Sequence, residues 1–149
     1  MEDLDLGQTI RGFNAGQNLF GRYTLRAVLG RGGMGIVWRA FDEELEREVA
    51  LKFLPELIVH DQSVLREMKR ETQRSLELTH PHIVRIYDFV RDAQSACIAM
   101  EYVDGQTLSN ARAEKPSNVF EVAEIEEYVR QLCDALEYAH SKAQIVHRD

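Results

Sequence analysis

From Tyr23 the chain alternates, with Tyr23, Leu25, Ala27 and Leu29 in one set and Thr24, Arg26 and Val28 in the other. A period of two sends successive side chains to opposite faces of a strand. A glycine cluster follows, and then Ile36 to Phe41 reads as a second strand. Asp42 to Glu46 reads as a turn, and Glu48 to Leu54 as a third strand. Short consecutive strands predict an antiparallel meander. Pro55 ends this run. Over 63–78 the spacing becomes helical, with Leu65, Met68, Thr72, Ser75 and Leu76 on one face and Asp61 or Ser63 as the cap. His80-Pro81 stops the helix. Ile83–Val90 and Ala96–Val103 read as two more strands around the turn 92–95. A short helix is expected over about 107–115. A long amphipathic helix is expected over 121–141, with Ile125, Tyr128, Val129, Leu132, Cys133 and Leu136 as its apolar stripe. Residues 1–18 lack a sustained period and are expected to form a mobile lead-in.

Composition narrows the class. A chain of 149 residues with 44% hydrophobic and 29% charged residues suits one globular domain. The net charge of −7 argues against nucleic-acid and anionic-membrane partners, which call for clustered Lys and Arg. No apolar run reaches the ~18 residues of a membrane span, and the acidic start Met1-Glu2-Asp3 does not read as a signal peptide. The expectation is a cytoplasmic segment without membrane contact, whatever anchor the full-length gene product carries. Cys97 and Cys133 lie in apolar segments without metal-ligand spacing. Both read as small core hydrophobes in a reducing compartment, with no metal site expected and a disulfide or a metal site as the alternative reading.

Candidate chemistry begins at Gly30-Arg31-Gly32-Gly33-Met34-Gly35-Ile36-Val37, a G-x-G-x-x-G-x-V pattern. Glycines let backbone N–H groups approach phosphates. A dinucleotide-binding fingerprint has the same spacing but opens a helix, whereas these glycines lead into a strand. A hairpin without ligand is the other reading. Next comes Val49-Ala50-Leu51-Lys52, where period two puts small Ala50 beside Lys52. That leaves room for a flat ring near a compact ammonium suited to phosphate oxygens. A solvated edge lysine is the alternative. Glu67, Glu71 and Glu77 on the following helix are candidates to hold that lysine, with Glu71 expected on the Leu65–Met68–Thr72 side and Glu67 further round, or simply surface charges worth ~0–1 kcal/mol. Ile98-Ala99-Met100-Glu101-Tyr102-Val103-Asp104-Gly105 is a strand ending in an acidic-aromatic pair. The chain closes on Ile145-Val146-His147-Arg148-Asp149.

In this order and spacing the motifs resemble the eukaryotic-like bacterial serine/threonine protein kinases, from Val28 to Asp149. The resemblance implies an α+β fold: a kinase N-lobe with a five-stranded antiparallel sheet and one helix, then the first helices of a C-lobe. It implies an N-lobe over 19–103, a hinge over 100–105 and a partial C-lobe over 106–149. It implies ATP, with Mg²⁺ in the complete kinase, and a protein hydroxyl as acceptor. Leu29, Gly30, Gly32, Gly33, Gly35 and Val37 would cover the nucleotide, beside Ala50. Lys52 would grip phosphates and Glu71 would orient it. Met100 would stand behind the adenine, while backbone groups of Glu101 and Val103 read its edge. Asp149 would accept the substrate proton.

The catalytic-loop Asn and the Asp-Phe-Gly Asp, which hold Mg²⁺ in such kinases, do not occur within these 149 residues. The chain by itself is therefore expected to be an inactive N-terminal fragment. The alternative is a non-catalytic half-kinase that binds nucleotide or a partner. The apolar stripe of 121–141 is expected to lack cover and to pair with a second copy of the chain.

Overall fold

The computed structural model describes residues 12–32 and 35–145. The described residues up to Leu76, together with Arg85–Tyr102, form one unit. Glu77–Val84 and the described residues from Val103 onward form a second.

The first unit is an antiparallel sheet with two helices. Its strands are β1 (Asn18–Leu19), β2 (Tyr23–Gly32), β3 (Gly35–Asp42), β4 (Arg47–Phe53), β5 (Ile86–Arg91) and β6 (Ala96–Glu101). They lie in the order β1-β2-β3-β4-β6-β5. The sixth strand, β1, falls where a lead-in was expected, and Phe13 before it joins the core and packs on Phe53 at 4.9 Å between ring centroids. Strict alternation holds along β3, where Ile36, Trp38, Ala40 and Asp42 are buried and the residues between them are half-buried. It fails along β2. Register shifts between Leu25 and Ala27 and between Val28 and Gly30 move Val28, rather than Ala27 or Leu29, onto the core. An extra residue at a bulge flips every later side chain, and a hydrophobicity pattern carries no sign of that.

The core face collects Tyr23, Leu25, Ile36, Trp38, Val49, Leu51, Phe53, Cys97 and Ala99. The Cys97 thiol is buried, and desolvation pushes it up to about 12, so it is unreactive packing. At one end of the sheet Asp42 is 1% exposed and carries a network of donors. It accepts from Arg22 Nε at 2.9 Å and Nη2 at 2.8 Å, and from the backbone N–H groups of Glu44 and Leu45. The Arg22 hydrogen bonds hold its carboxyl below the usual carboxylate range.

Pro55 is followed by a short helix, α1 (Glu56–Val59), and then by α2 (Gln62–Ser75). Asp61 caps α2 by accepting from the backbone N–H groups of Ser63 and Val64. Leu65 and Thr72 are the buried positions of α2, and Met68 packs beside Leu65 on Leu54, Val59 and Ala96. The strand expected from Ile83 starts at Ile86, because the Ile83 N–H turns back to His80 O. The last strand ends at Glu101 rather than Val103.

In the second unit, α3 (Leu108–Ala113) is capped by Thr107, and α4 (Val122–Glu137) continues into a π-helical turn over Tyr138–Lys142. Glu124 Oε2 accepts from the Glu121 N–H at 2.9 Å and pairs with Lys115, which ties the loop before α4 to its first turn. Tyr138 anchors the segment 77–84. Its hydroxyl accepts from the Thr79 N–H at 3.1 Å, and its ring lies 5.1 Å from that of His80. The expected stripe of α4 is largely open, and Ala135 is the buried position of this helix. Cys133 is exposed, which corrects its reading as a core residue. The helical period found its face: Ile125 and Leu136 are half-buried and Phe120 lies edge-on to Tyr128, while Val129 and Leu132 stay exposed.

Candidate nucleotide site

The candidate residues of the sheet unit gather on the face opposite the core. In an antiparallel ladder, directly paired residues point to the same side. Val37 pairs with Lys52, Arg39 with Ala50, and Ala50 with Met100. The register thus puts Val37, Ala50, Lys52 and Met100 on one surface of three adjacent strands. Leu29 sits at the second bulge of β2 and is exposed.

Gly32 pairs with Gly35 at the tip of the β2–β3 hairpin. Gly33 lies outside the described residues. The hairpin context is that of strand, loop and strand, which sets it apart from a fingerprint that opens a helix. The glycines meet different demands. Gly35 has φ +117°, and a Cβ there would come 2.0 Å from the Phe53 carbonyl oxygen. The packing of β3 on β4 alone therefore requires glycine. Gly30 has open space around it and no positive φ, so the fold makes no demand at that position.

Lys52 is half-buried. Among the described residues it has no hydrogen-bond or ion-pair partner, and Glu71 does not reach it. Glu71 is exposed on α2, while Leu65, Met68 and Thr72 turn inward. The expectation that Glu71 shares the inward side of α2 is corrected here: it lies one position off the buried row. A half-buried ammonium without a counter-charge is costly and suits an anionic ligand.

Glu101 is fixed at the end of β6. Its N–H donates to Arg85 O at 2.8 Å, and its side chain accepts from the Arg85 N–H at 3.1 Å. That N–H is therefore spoken for. The Val103 N–H, in the second unit, has no partner among the described residues, and Val103 is exposed. His147, Arg148 and Asp149 lie outside the described residues. No group of three or more His, Cys, Asp or Glu among the described residues has the arrangement of a metal site, and no described helix is long and apolar enough to cross a membrane.

The pattern reading missed Arg39, Glu48 and Tyr102. Arg39 Nε lies 3.4 Å from Glu48 Oε2, and its guanidinium sits 5.7 Å from the centroid of the Tyr102 ring. Period two from Val37 was the available signal, since it puts Arg39 on the same face.

Comparison with known proteins agrees with this geometry. The protein kinase domain family matches residues 23–149. The chain is 41% identical over 135 residues to the serine/threonine-protein kinase PrkC of Bacillus subtilis, covering 90% of this chain and 20% of that protein. It is 39% identical over 137 residues to PknB of Mycobacterium leprae, covering 89% of this chain and 21% of that protein. The crystal structure of the Mycobacterium tuberculosis PknI kinase domain is similar with a TM-score of 0.77 and 32% identity, over 93% of this chain and 55% of that one. The chain thus spans about a fifth of the length of the curated relatives and about half of a solved kinase domain. With these motifs in order on a kinase-like sheet, the chain belongs to the protein kinase family, as part of a kinase domain.

Proposed function

We propose that this chain is the nucleotide-holding part of a serine/threonine protein kinase. The observation that carries the reading is Lys52, a half-buried ammonium without a partner among the described residues, on the face shared with Val37, Ala50 and Met100. Lys52 holds phosphate oxygens of ATP, under the glycine hairpin from Gly30 to Gly35. Leu29, Val37 and Ala50 flank the adenine, and Met100 stands behind it. The Val103 N–H is the donor to the base edge. Glu101 contributes its carbonyl, because its N–H is taken by Arg85. Pairing of Lys52 with Glu71 takes a rearrangement at α2, and a kinase needs that pair in place for turnover. When bound, ATP with Mg²⁺ supplies the transferable phosphoryl group, and Asp149 accepts the proton of the acceptor hydroxyl. The two metal-holding residues of such kinases are not within these 149 residues, so the chain alone gives negligible phosphoryl transfer.

The test is a titration of the chain with ATP and, separately, NAD. Saturable ATP binding that Lys52→Met weakens by about ten-fold or more is expected, the scale of a charge-assisted hydrogen bond. No saturable ATP binding, or equal binding of NAD, overturns the reading.

The open face of α4 favours a second proposal. In the 149-residue chain studied alone, Val129 and Leu132 are covered by a second copy, giving a dimer at micromolar concentration. A chain that continues as the solved kinase domains do has further residues to cover the same face.

A further inference from the structure

Arg39, Glu48 and Tyr102 form a cross-strand row beside the nucleotide face. Arg39 belongs to β3, Glu48 to β4, and Tyr102 follows directly on β6, so the row spans three adjacent strands. Arg39 starts opposite Ala50, on the side of Val37 and Lys52. Its Nε lies 3.4 Å from Glu48 Oε2, and its guanidinium covers the Tyr102 ring at 5.7 Å from the centroid.

The energetics of the two contacts differ. Arg39 and Glu48 are each about 40% exposed, so the pair by itself adds little stability. It is an ion contact without hydrogen-bond geometry at Nε, and it draws the guanidinium to the Glu48 side by charge. A guanidinium over an aromatic face is drawn by the ring quadrupole, and its flat shape suits stacking better than an ammonium does. Tyr102 lies between Glu101 and Val103 in the chain, the two residues assigned to the base edge. Glu101 is already tied to Arg85 on the β5 side. Tyr102 is held from the β3 side by Arg39.

We propose that Arg39, drawn by the Glu48 charge, is a positioning residue for base recognition, fixing Tyr102 and through it the backbone that meets the adenine. This rests on the nucleotide reading above. It separates the base from the phosphates, which Lys52 holds at a different register position.

The experiment compares ATP with inorganic tripolyphosphate, which offers the phosphates without a base. Arg39→Ala is expected to weaken ATP binding about two- to five-fold, the scale of one partly exposed cation–π contact, and to leave tripolyphosphate binding as it was. Tyr102→Leu gives a loss of the same size, and the double variant adds little to either, because the two residues act through one contact. Arg39→Lys, which keeps charge but loses the planar fork, falls between, and it carries the test if Arg39→Ala does not fold. ATP binding that these variants leave unchanged, or that falls in parallel with tripolyphosphate binding, overturns this inference alone. Failure of the unsubstituted chain to bind ATP overturns the nucleotide reading beneath it.

Discussion

In the sheet unit Trp38, Tyr23, Leu25, Leu51 and Phe53 are fully buried, whereas on α4 Val122 is 80% exposed and Leu132 59%. Both regions show strong amphipathic patterning in sequence. The sheet closes its core with elements close along the chain: β2, β3 and β4 pair in series, and Phe13 and β6 complete the layer. A lone amphipathic helix has no such means, since its stripe needs partners from elsewhere. The ion pairs follow the same division. Arg22 and Asp42 make a bidentate pair with Asp42 buried. On α4, Arg130 pairs with Glu127 and Asp134 in the open. Hydrogen bonds from Arg130 and Gln131 pull the Glu127 carboxyl down to about 2, yet an exposed pair of this kind contributes little to stability. A periodic pattern tells which face is apolar, and burial decides what that face is worth.

The sharpest test of this contrast truncates one apolar residue in each region. Phe53→Ala removes a fully buried ring and is expected to cost about 3–5 kcal/mol in urea denaturation. Leu132→Ala, measured on the monomer, is expected to stay within about 0.5 kcal/mol. Comparable losses at both positions would break the contrast. Next in size is Arg22→Ala, which leaves the buried Asp42 carboxylate short of its main partner at a cost of about 3 kcal/mol. The sign in pH follows from the lowered carboxyl. The stabilisation is present above the unfolded carboxyl value of ~3.9 and is lost as pH falls through the lower folded value. Stability against urea followed from pH 6 down to pH 2 is expected to show that loss in the unsubstituted chain, and a weaker one in Arg22→Ala.

The glycines sharpen the comparison within the sheet unit. Gly35→Ala drives a Cβ into the Phe53 carbonyl at a positive φ and is expected to destabilise by about 1–3 kcal/mol. Gly30→Ala meets nothing within 4 Å, so its melting temperature should match that of the unsubstituted chain while ATP binding weakens. Equal loss of stability at both positions would remove the distinction between a glycine kept by packing and one kept for a ligand.

Much of this was legible from residue order. The strands β3 and β4, the Asp61 cap and the placing of Ala50 beside Lys52 follow from period two and local capping, which act over a few residues. The face of Leu65, Met68 and Thr72 was legible for the same reason. The bulges of β2 were not, because an inserted residue changes register without changing composition. The strand β1 is two residues long and carries no period to detect. The placing of Glu71 was not legible, because its one-residue offset from Thr72 rotates it about 100° round the helix, enough to move it from the buried row to solvent in this structure. The β5 start was misread because Ile83 and Val84 look strand-like, yet the Ile83 N–H closes a turn on His80. Arg39 was not legible because its partners come from elsewhere in the chain, Glu48 on β4 and Tyr102 just after β6.

The smallest expected effect on stability lies on α4 and bears on what covers it. Leu132 and Val129 sit three residues apart on one turn, and both are exposed, so a second copy seated there would bury them together. Leu132→Ser places a hydroxyl where that contact would form. The expected outcome is a shift from dimer to monomer mass in light scattering at micromolar concentration, with circular dichroism and the unfolding of the monomer unchanged. Monomer mass in the unsubstituted chain would show that the face stays open in these 149 residues. A dimer that Leu132→Ser leaves intact would move the contact to another surface. The contrast between a sheet that covers itself and a helix that needs a partner survives the second result, because it rests on burial within one chain and not on how two chains meet.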